Sequence, residues 1–340
     1  MNIAIVGFGI AGKHYLNILL KNKNRIKKIF IINDKKLKKS INYQQIKAEQ
    51  LNTVKIDYAF ISTPSNLHYK FAKFFIKKKT NVLIEKPFVL KLSHAKELIK
   101  LSKKFKVKCW IAFQNRYNKA LVKLRKTIQE KKLGKINFVD AILLWSRNEK
   151  YYKVSWRGKY KTDGGVLANQ AIHLLDALIY IFGPIKGYNV IAGFNKKKLQ
   201  AEDLVSLNIL HKNNIITSFK ATTRAKLDYR VAMDVNGERG RVIVKGISLN
   251  EYNYFDRNFL MKDIKNSEPF EKNLGAVSGM GNGHEKIIKE FLNNKIKYSS
   301  MNLEVKNNYY LLKLIHSIYN TINNKNNLKL VRNKQSIWGI

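Results

Sequence analysis

One hexapeptide near the start of the chain limits the fold more than any other feature. Gly7-Phe8-Gly9-Ile10-Ala11-Gly12 follows the apolar run Ile3–Val6 and leads into a helical stretch, Lys13 to Lys23. In such a strand–turn–helix unit the first glycine permits the tight turn and the second lets the backbone approach a pyrophosphate. The third allows helix and strand to pack closely. The diphosphate then rests on amide N–H groups at the helix start. Asp34 closes a second apolar run, Ile29–Ile32, 22 residues after Gly12. An acid there accepts hydrogen bonds from the adenosine ribose and repels a 2′-phosphate, which favours NAD over NADP. Asn33, Lys35 and Lys36 beside it weaken that preference, so NADP stays open.

The surrounding pattern agrees with a dinucleotide fold. Apolar runs at Asp57–Ile61, Asn81–Ile84 and Val107–Phe113 alternate with helical stretches. These span 67–79 and a segment from Ser93, a candidate cap, to about Phe105. Continuous apolar strands alternating with helices make a parallel, doubly wound sheet. The rhythm then changes. Ile136–Ser146, Tyr188–Phe194, Leu204–His211, Ile215–Ala221, Tyr229–Val235 and Arg241–Lys245 read as strands, the later ones on short turns. Tight turns between successive strands predict an antiparallel sheet. Helices are expected at 120–132, 166–182, 284–293 and 303–321. The fold class is α/β: a Rossmann domain over 1–118, then an α+β substrate and oligomerisation domain over 119–340 with a large, mostly antiparallel open sheet.

Charge raises a competing possibility. The 65 Lys and Arg against 23 Asp and Glu leave a formal net charge of +42 over 340 residues, enough to attract a polyanion. The excess is mostly lysine, however, and is scattered from Lys21 to Lys334 rather than gathered into one basic arm. That pattern argues against a nucleic-acid partner. The most apolar stretch, Val166–Phe182, carries Asn169, His173 and Asp176, so no membrane span is expected. A lone cysteine, Cys109, and an opening that is a strand rather than a signal peptide suit the cytoplasm. No His/Cys cluster has metal-ligand spacing.

Two constellations carry chemistry. Glu85-Lys86-Pro87 closes the fourth apolar run, and open α/β sheets bind ligands at the carboxyl ends of their strands. A lysine there can polarise a hydroxyl or carbonyl and can have its own pKa lowered by desolvation. By itself such a lysine is more often a surface residue, above all in so lysine-rich a chain. Gly164-Gly165 opens the second constellation, in which Asn169, His173 and Asp176 share one face of a strongly apolar helix. Polar groups so placed are costly to bury without partners. The trio is better read as a proton-transfer imidazole with orienting groups than as a satisfied core histidine.

These residues resemble the Gfo/Idh/MocA family of glucose–fructose oxidoreductases and inositol dehydrogenases. The resemblance rests on the glycine turn with His14, Thr63-Pro64-Ser65-Asn66-Leu67-His68, Glu85-Lys86-Pro87 and the Gly164–Asp176 block. Gln114-Asn115-Arg116-Tyr117-Asn118, Trp156-Arg157-Gly158 and Gly283-His284 agree. The resemblance implies hydride transfer from a secondary alcohol of a sugar, nucleotide-sugar acid or cyclitol to nicotinamide. It makes Lys86 the hydrogen-bond donor to the reacting hydroxyl and His173 the acid/base. It also adds Thr63, Pro64, Asn66, His68 and Glu85 to the cofactor site, though His68 and His284 could as easily cap or pack as touch ligand, and implies homo-dimer or homo-tetramer contacts through the C-terminal sheet. Many members have Asp where this chain has Asn169, so a Lys–Asp–His relay is in question while orientation of substrate by Asn169 is not. Members that oxidise UDP-N-acetylglucosaminuronate are similar in having Asn there, which points to surface-polysaccharide sugars. Arg116, Tyr117, Arg157 and Asp176 are candidate substrate anchors, against the alternative that the arginines form a domain-interface ion pair or belong to a solvated face. Trp145, Tyr151, Tyr152 and Trp156 could wall a sugar pocket or simply fill a core. The alternative function is a non-catalytic cofactor or sugar sensor on the same fold.

Overall fold

A computed structural model describes residues 1–21, 25–195, 199–228, 230–256, 283–293, 295–297 and 299–323. Lys23, Tyr229, Lys334 and the end of the second domain (324–340) therefore lie outside the described residues. Strand β1 (Asn2–Val6) feeds the glycine turn and helix α1 (Ile10–Lys21). It pairs in parallel with β2 (Lys28–Ile32) on one side and β4 (Tyr58–Ile61) on the other. With β3 (Gln44–Ile46), β5 (Asn81–Ile84) and β6 (Cys109–Ile111) the sheet order is β3-β2-β1-β4-β5-β6, parallel throughout. The central strands are apolar at nearly every position because helices α1, α2 (Ser65–Lys77) and α3 (Leu92–Phe105) leave neither sheet face to water.

Several helix starts differ from expectation: α1 begins at Ile10 rather than Lys13, and the last described helix begins at Tyr309 rather than 303. Helix α2 begins at Ser65, directly after Pro64, rather than at 67. Helix α3 begins at Leu92, which packs on the core, with Lys91 extended before it. Ser93 lies inside that helix and does not cap it.

After the tight turn Gln114–Tyr117 and helix α4 (Lys119–Gln129), the chain builds a seven-stranded sheet. Its strands are β7 (Ile136–Leu144), β8 (Ile185–Gly193), β9 (Leu204–His211), β10 (Ile216–Thr222), β11 (Arg230–Gly237), β12 (Gly240–Lys245) and β13 (Glu251–Asp256). The order is β13-β12-β11-β7-β10-β9-β8, and every pairing is antiparallel except the parallel join of β10 to β7. Strand alternation gives the sheet two unlike faces. Val139, Ala141, Leu143, Val205, Leu207 and Phe219 are buried, whereas Phe138, Ile191 and Ile216 are exposed.

The helix expected over 166–182 is broken. Helix α5 (Glu149–Tyr152) precedes α6 (Val166–Asn169), and α7 (Ile172–Phe182) follows after Gln170-Ala171. At the break the Ala171 N–H bonds the carbonyl of Val166, five residues back, at 2.8 Å. This wider turn rotates α7 relative to α6, so Asn169 and Asp176 are not on one helical face.

The chain finally returns to its first layer. Helix α8 (Gly283–Phe291) lays Phe291 against Tyr58, Phe60 and Trp110. The Ile111 N–H bonds the Leu303 carbonyl, and the Val305 N–H bonds that of Cys109. Helix α9 (Tyr309–Asn323) then packs against β8. A backbone cut near 118 therefore leaves a late segment bonded to the first domain. No described helix is long and apolar enough to cross a membrane.

Candidate active site

One cleft of about 730 Å³ lies between the glycine turn and the inner face of the second sheet, within the roughly 300–1,000 Å³ usual for small-molecule sites. Its floor is the turn itself. Gly7 has φ +87°, and a Cβ there would stand 2.7 Å from the Ser62 carbonyl oxygen. A Cβ at Gly12 would fall 2.2 Å from the Gly7 carbonyl oxygen, whereas at Gly9 it would meet nothing within 4 Å. Two glycines thus serve packing and the third leaves open space over the first turn of α1, whose leading N–H groups have no acceptor inside the helix. Thr63 adds a buried hydroxyl with no partner among the described residues. This cradle fits a dinucleotide diphosphate.

At the adenosine end the placement differs from expectation. Asn33 lines the cleft, and its Oδ1 accepts the Phe8 N–H at 3.2 Å. Asp34 is exposed and outside the lining, because the strand's last inward position falls one residue earlier. Phe8, Ile10, Ala11, Thr63, Pro64, Ser65 and His68 all line the cleft; Asn66 is exposed and does not. His68 is buried, with Nδ1 2.8 Å from the Pro87 carbonyl and Nε2 2.9 Å from that of Thr63. It therefore ties the loop after β4 to the turn that carries Lys86. Burial, opposed by these two carbonyls, lowers its pKa.

Glu85 and Lys86 leave β5 in opposite roles. Glu85 Oε1 accepts the Tyr15 hydroxyl at 2.5 Å and lies 3.7 Å from His284 Nε2. Burial would raise its pKa, but His284, Tyr15 and Lys86 outweigh that and hold it at about 2. It is a fixed anion beneath the site. Lys86 Nζ donates to the Asn169 carbonyl at 2.8 Å, and desolvation lowers its pKa. His173 lines the same cleft; burial first, then the Lys86 charge, pushes its pKa well below 6.5. Its Nδ1 has no hydrogen-bond partner among the described residues, and the ring meets Phe113 edge-on. Ammonium and neutral imidazole thus face one space.

Asn169 Nδ2 donates to Asp163 Oδ1 at 2.5 Å, and Asp163 Oδ2 accepts the Gly158 N–H at 3.3 Å. Asp163 is buried in the cleft wall and its pKa is raised by desolvation. Sequence reading overlooked it; its position just before Gly164-Gly165 was the available signal.

The candidate anchors separate. Arg157 lines the cleft with its guanidinium 3.6 Å from the Tyr151 ring centre and 4.9 Å from that of Trp156. No carboxylate pairs with it among the described residues. Arg147, which the sequence did not suggest, is paired with Asp228 at 2.9 Å. Arg116 is not an anchor. It is buried outside the cleft in a two-pronged bond to Asp176, with further bonds to Met301, Asn302 and Asn308. Asp176 is consumed by the same pair, so neither side chain reaches a ligand. Tyr117 is likewise turned away, its hydroxyl donating to Glu290 Oε2. Gln114 and Asn115, beside them, do line the cleft. Trp145, Tyr151 and Trp156 form its wall, whereas Tyr152 is bonded to Thr223 outside it.

Comparison with known proteins bears on the fold and the family. A model of the oxidoreductase family with an NAD-binding Rossmann fold matches residues 1–113, and one of the GFO/IDH/MocA C-terminal domain matches residues 121–243. The chain is 26% identical over 260 residues to the uncharacterized oxidoreductase YhhX of Escherichia coli, covering 74% of this chain and 73% of that protein. It is 22% identical over 214 residues to scyllo-inositol 2-dehydrogenase (NADP(+)) IolW of Bacillus subtilis, covering 62% and 59%. The WlbA dehydrogenase of Bordetella pertussis, solved with NADH and UDP-GlcNAcA, superposes with a TM-score of 0.82 at 22% identity over 95% and 96% of the two chains. That likeness establishes the shared fold. With both halves matched in order, this chain is a member of the Gfo/Idh/MocA family of NAD-binding oxidoreductases.

Proposed function

We propose that the protein is a nicotinamide-dependent dehydrogenase that oxidises a secondary alcohol of a sugar or cyclitol, and that its substrate is a nucleotide-linked sugar acid. The carrying observation is that Lys86 and His173 line one cleft directly above the glycine turn. A nicotinamide dinucleotide whose diphosphate rested on the glycine turn and Thr63 would supply the acceptor for the carbinol hydride. Lys86 donates a hydrogen bond to the carbinol oxygen, and its ammonium stabilises the negative charge that develops there. His173, neutral because it is buried beside that ammonium, takes the hydroxyl proton. One amide N–H of Asn169 goes to Asp163, which fixes the amide so that its Oδ1 can accept from and orient a neighbouring hydroxyl.

Arg157 favours an acidic substrate. Stacked on Tyr151 and without a paired carboxylate, its fork suits a carboxylate or phosphate. Incubating the protein and NAD(P)+ with free sugars, inositols and nucleotide sugars, including UDP-N-acetylglucosaminuronate, tests this. Reduction with the nucleotide-linked acids is expected. Turnover of neutral sugars alone would remove the acidic-substrate reading, and none at all would favour a non-catalytic sensor. A place in surface-polysaccharide sugar synthesis in the cytoplasm depends on the first result.

A second copy of the chain is the proposed cover for the outer face of the seven-stranded sheet, where Phe138, Ile191 and Ile216 are exposed. Light scattering should give a dimer or tetramer; a monomer at micromolar concentration would end that proposal.

A further inference from the structure

Among the described residues, no carboxylate lines the adenosine end of the cleft, where an NAD-selective site needs one. Asn33 closes β2 and lines the cleft in that position, while Asp34 sits outside the lining, exposed. Asn33 is held firmly. Its Oδ1 accepts the Phe8 N–H at 3.2 Å, and its Nδ2 donates to the Lys35 carbonyl at 2.8 Å. Turning the amide over would set N–H against N–H and oxygen against oxygen, so the donor–acceptor pattern allows one orientation. Gln45 on the edge strand braces the turn: its Nε2 donates to the carbonyls of Asn33 at 3.1 Å and Lys35 at 2.9 Å, and its Oε1 accepts the Leu37 N–H.

The chemical consequence is specific. A carboxylate at this place accepts from both ribose hydroxyls and repels a phosphate on the 2′ oxygen. An amide has no charge to repel it, and Asn33 retains one N–H uncommitted among the described residues, which can donate to a phosphate oxygen. The residues that follow, Lys35 and Lys36, are exposed cations on the same turn. We infer that this protein binds the 2′-phosphorylated dinucleotide, NADP(H), at least as tightly as NAD(H), with Asn33 as the residue that permits it. This rests on the nicotinamide reading of the cleft, and it reverses the preference that Asp34 alone would give.

Titrating the full-length protein with NADH and separately with NADPH, by ligand fluorescence and without any sugar, tests it. The expected result is a Kd for NADPH equal to or below that for NADH. Asn33→Asp, nearly the same in shape, should then weaken NADPH relative to NADH on the order of tenfold, the size of one added neighbouring charge. Tighter binding of NADH by the native protein overturns the inference while leaving the dehydrogenase reading in place, as does a ratio that Asn33→Asp leaves unmoved. Failure of both reduced nucleotides to bind removes the dehydrogenase reading too.

Discussion

His173 and Lys86 influence each other through one small volume. Burial and the ammonium hold the imidazole neutral, with its pKa well below 6.5, and burial lowers the pKa of the ammonium from 10.5. Oxidation needs the imidazole unprotonated and the lysine protonated. Activity should therefore fall as pH drops through the lowered His173 pKa, and fall again as pH rises through the lowered Lys86 pKa. A kcat/KM profile in the alcohol-oxidising direction is expected to be bell-shaped, with its acid limb below 6.5 and its alkaline limb below 10.5. An acid limb centred above 6.5 would show that the residue titrating there is not this histidine. Both residues, which line the cleft, stood out in the sequence: His173 because polar groups on an apolar helix are costly to bury without partners, and Lys86 by its place at a strand's carboxyl end together with the family resemblance. Asp163 was not legible. Its value comes from contact with Asn169 and from burial, and neither leaves a periodic trace.

Among the elements, the parallel sheet was readable because strands buried on both faces must be apolar throughout, as Ile3-Ala4-Ile5-Val6 and Tyr58-Ala59-Phe60-Ile61 are. Edge strands escaped. Gln44–Ile46 is three residues long and mostly polar, and Glu251–Asp256 mixes aromatics with polar residues at the sheet's border. The break between α6 and α7 was hidden for another reason. Val166 to Phe182 is apolar enough for one helix, and only the five-residue-back hydrogen bond to Val166 reveals the turn. That turn shapes the cleft: Asn169 and His173 line it, while Asp176 pairs with Arg116. The helix pattern alone had grouped all three.

Taken as a whole, the molecule holds its two layers together with long-range polar bolts. The Arg116–Asp176 pair, buried and further bonded to the Met301–Asn308 segment, joins residues 60 or more positions apart. Sequence could offer Arg116 as a substrate anchor or as an interface ion pair, and the second is what folding makes of it. Glu85, with Tyr15 and His284, ties α1, β5 and α8 beneath the cleft in the same manner. These contacts fix the Rossmann layer against the second domain, so a lysine from one and a histidine from the other line one cleft. The central claim is that they act on a single carbinol beside the nicotinamide. It is tested most directly by Lys86→Ala and His173→Ala, comparing turnover of the accepted substrate with NAD(P)H affinity in the same preparations. Each variant should lose roughly 10²-fold or more in kcat while cofactor Kd stays nearly unchanged. Native turnover in either variant would contradict the role assigned to that residue, and native turnover in both would contradict the site.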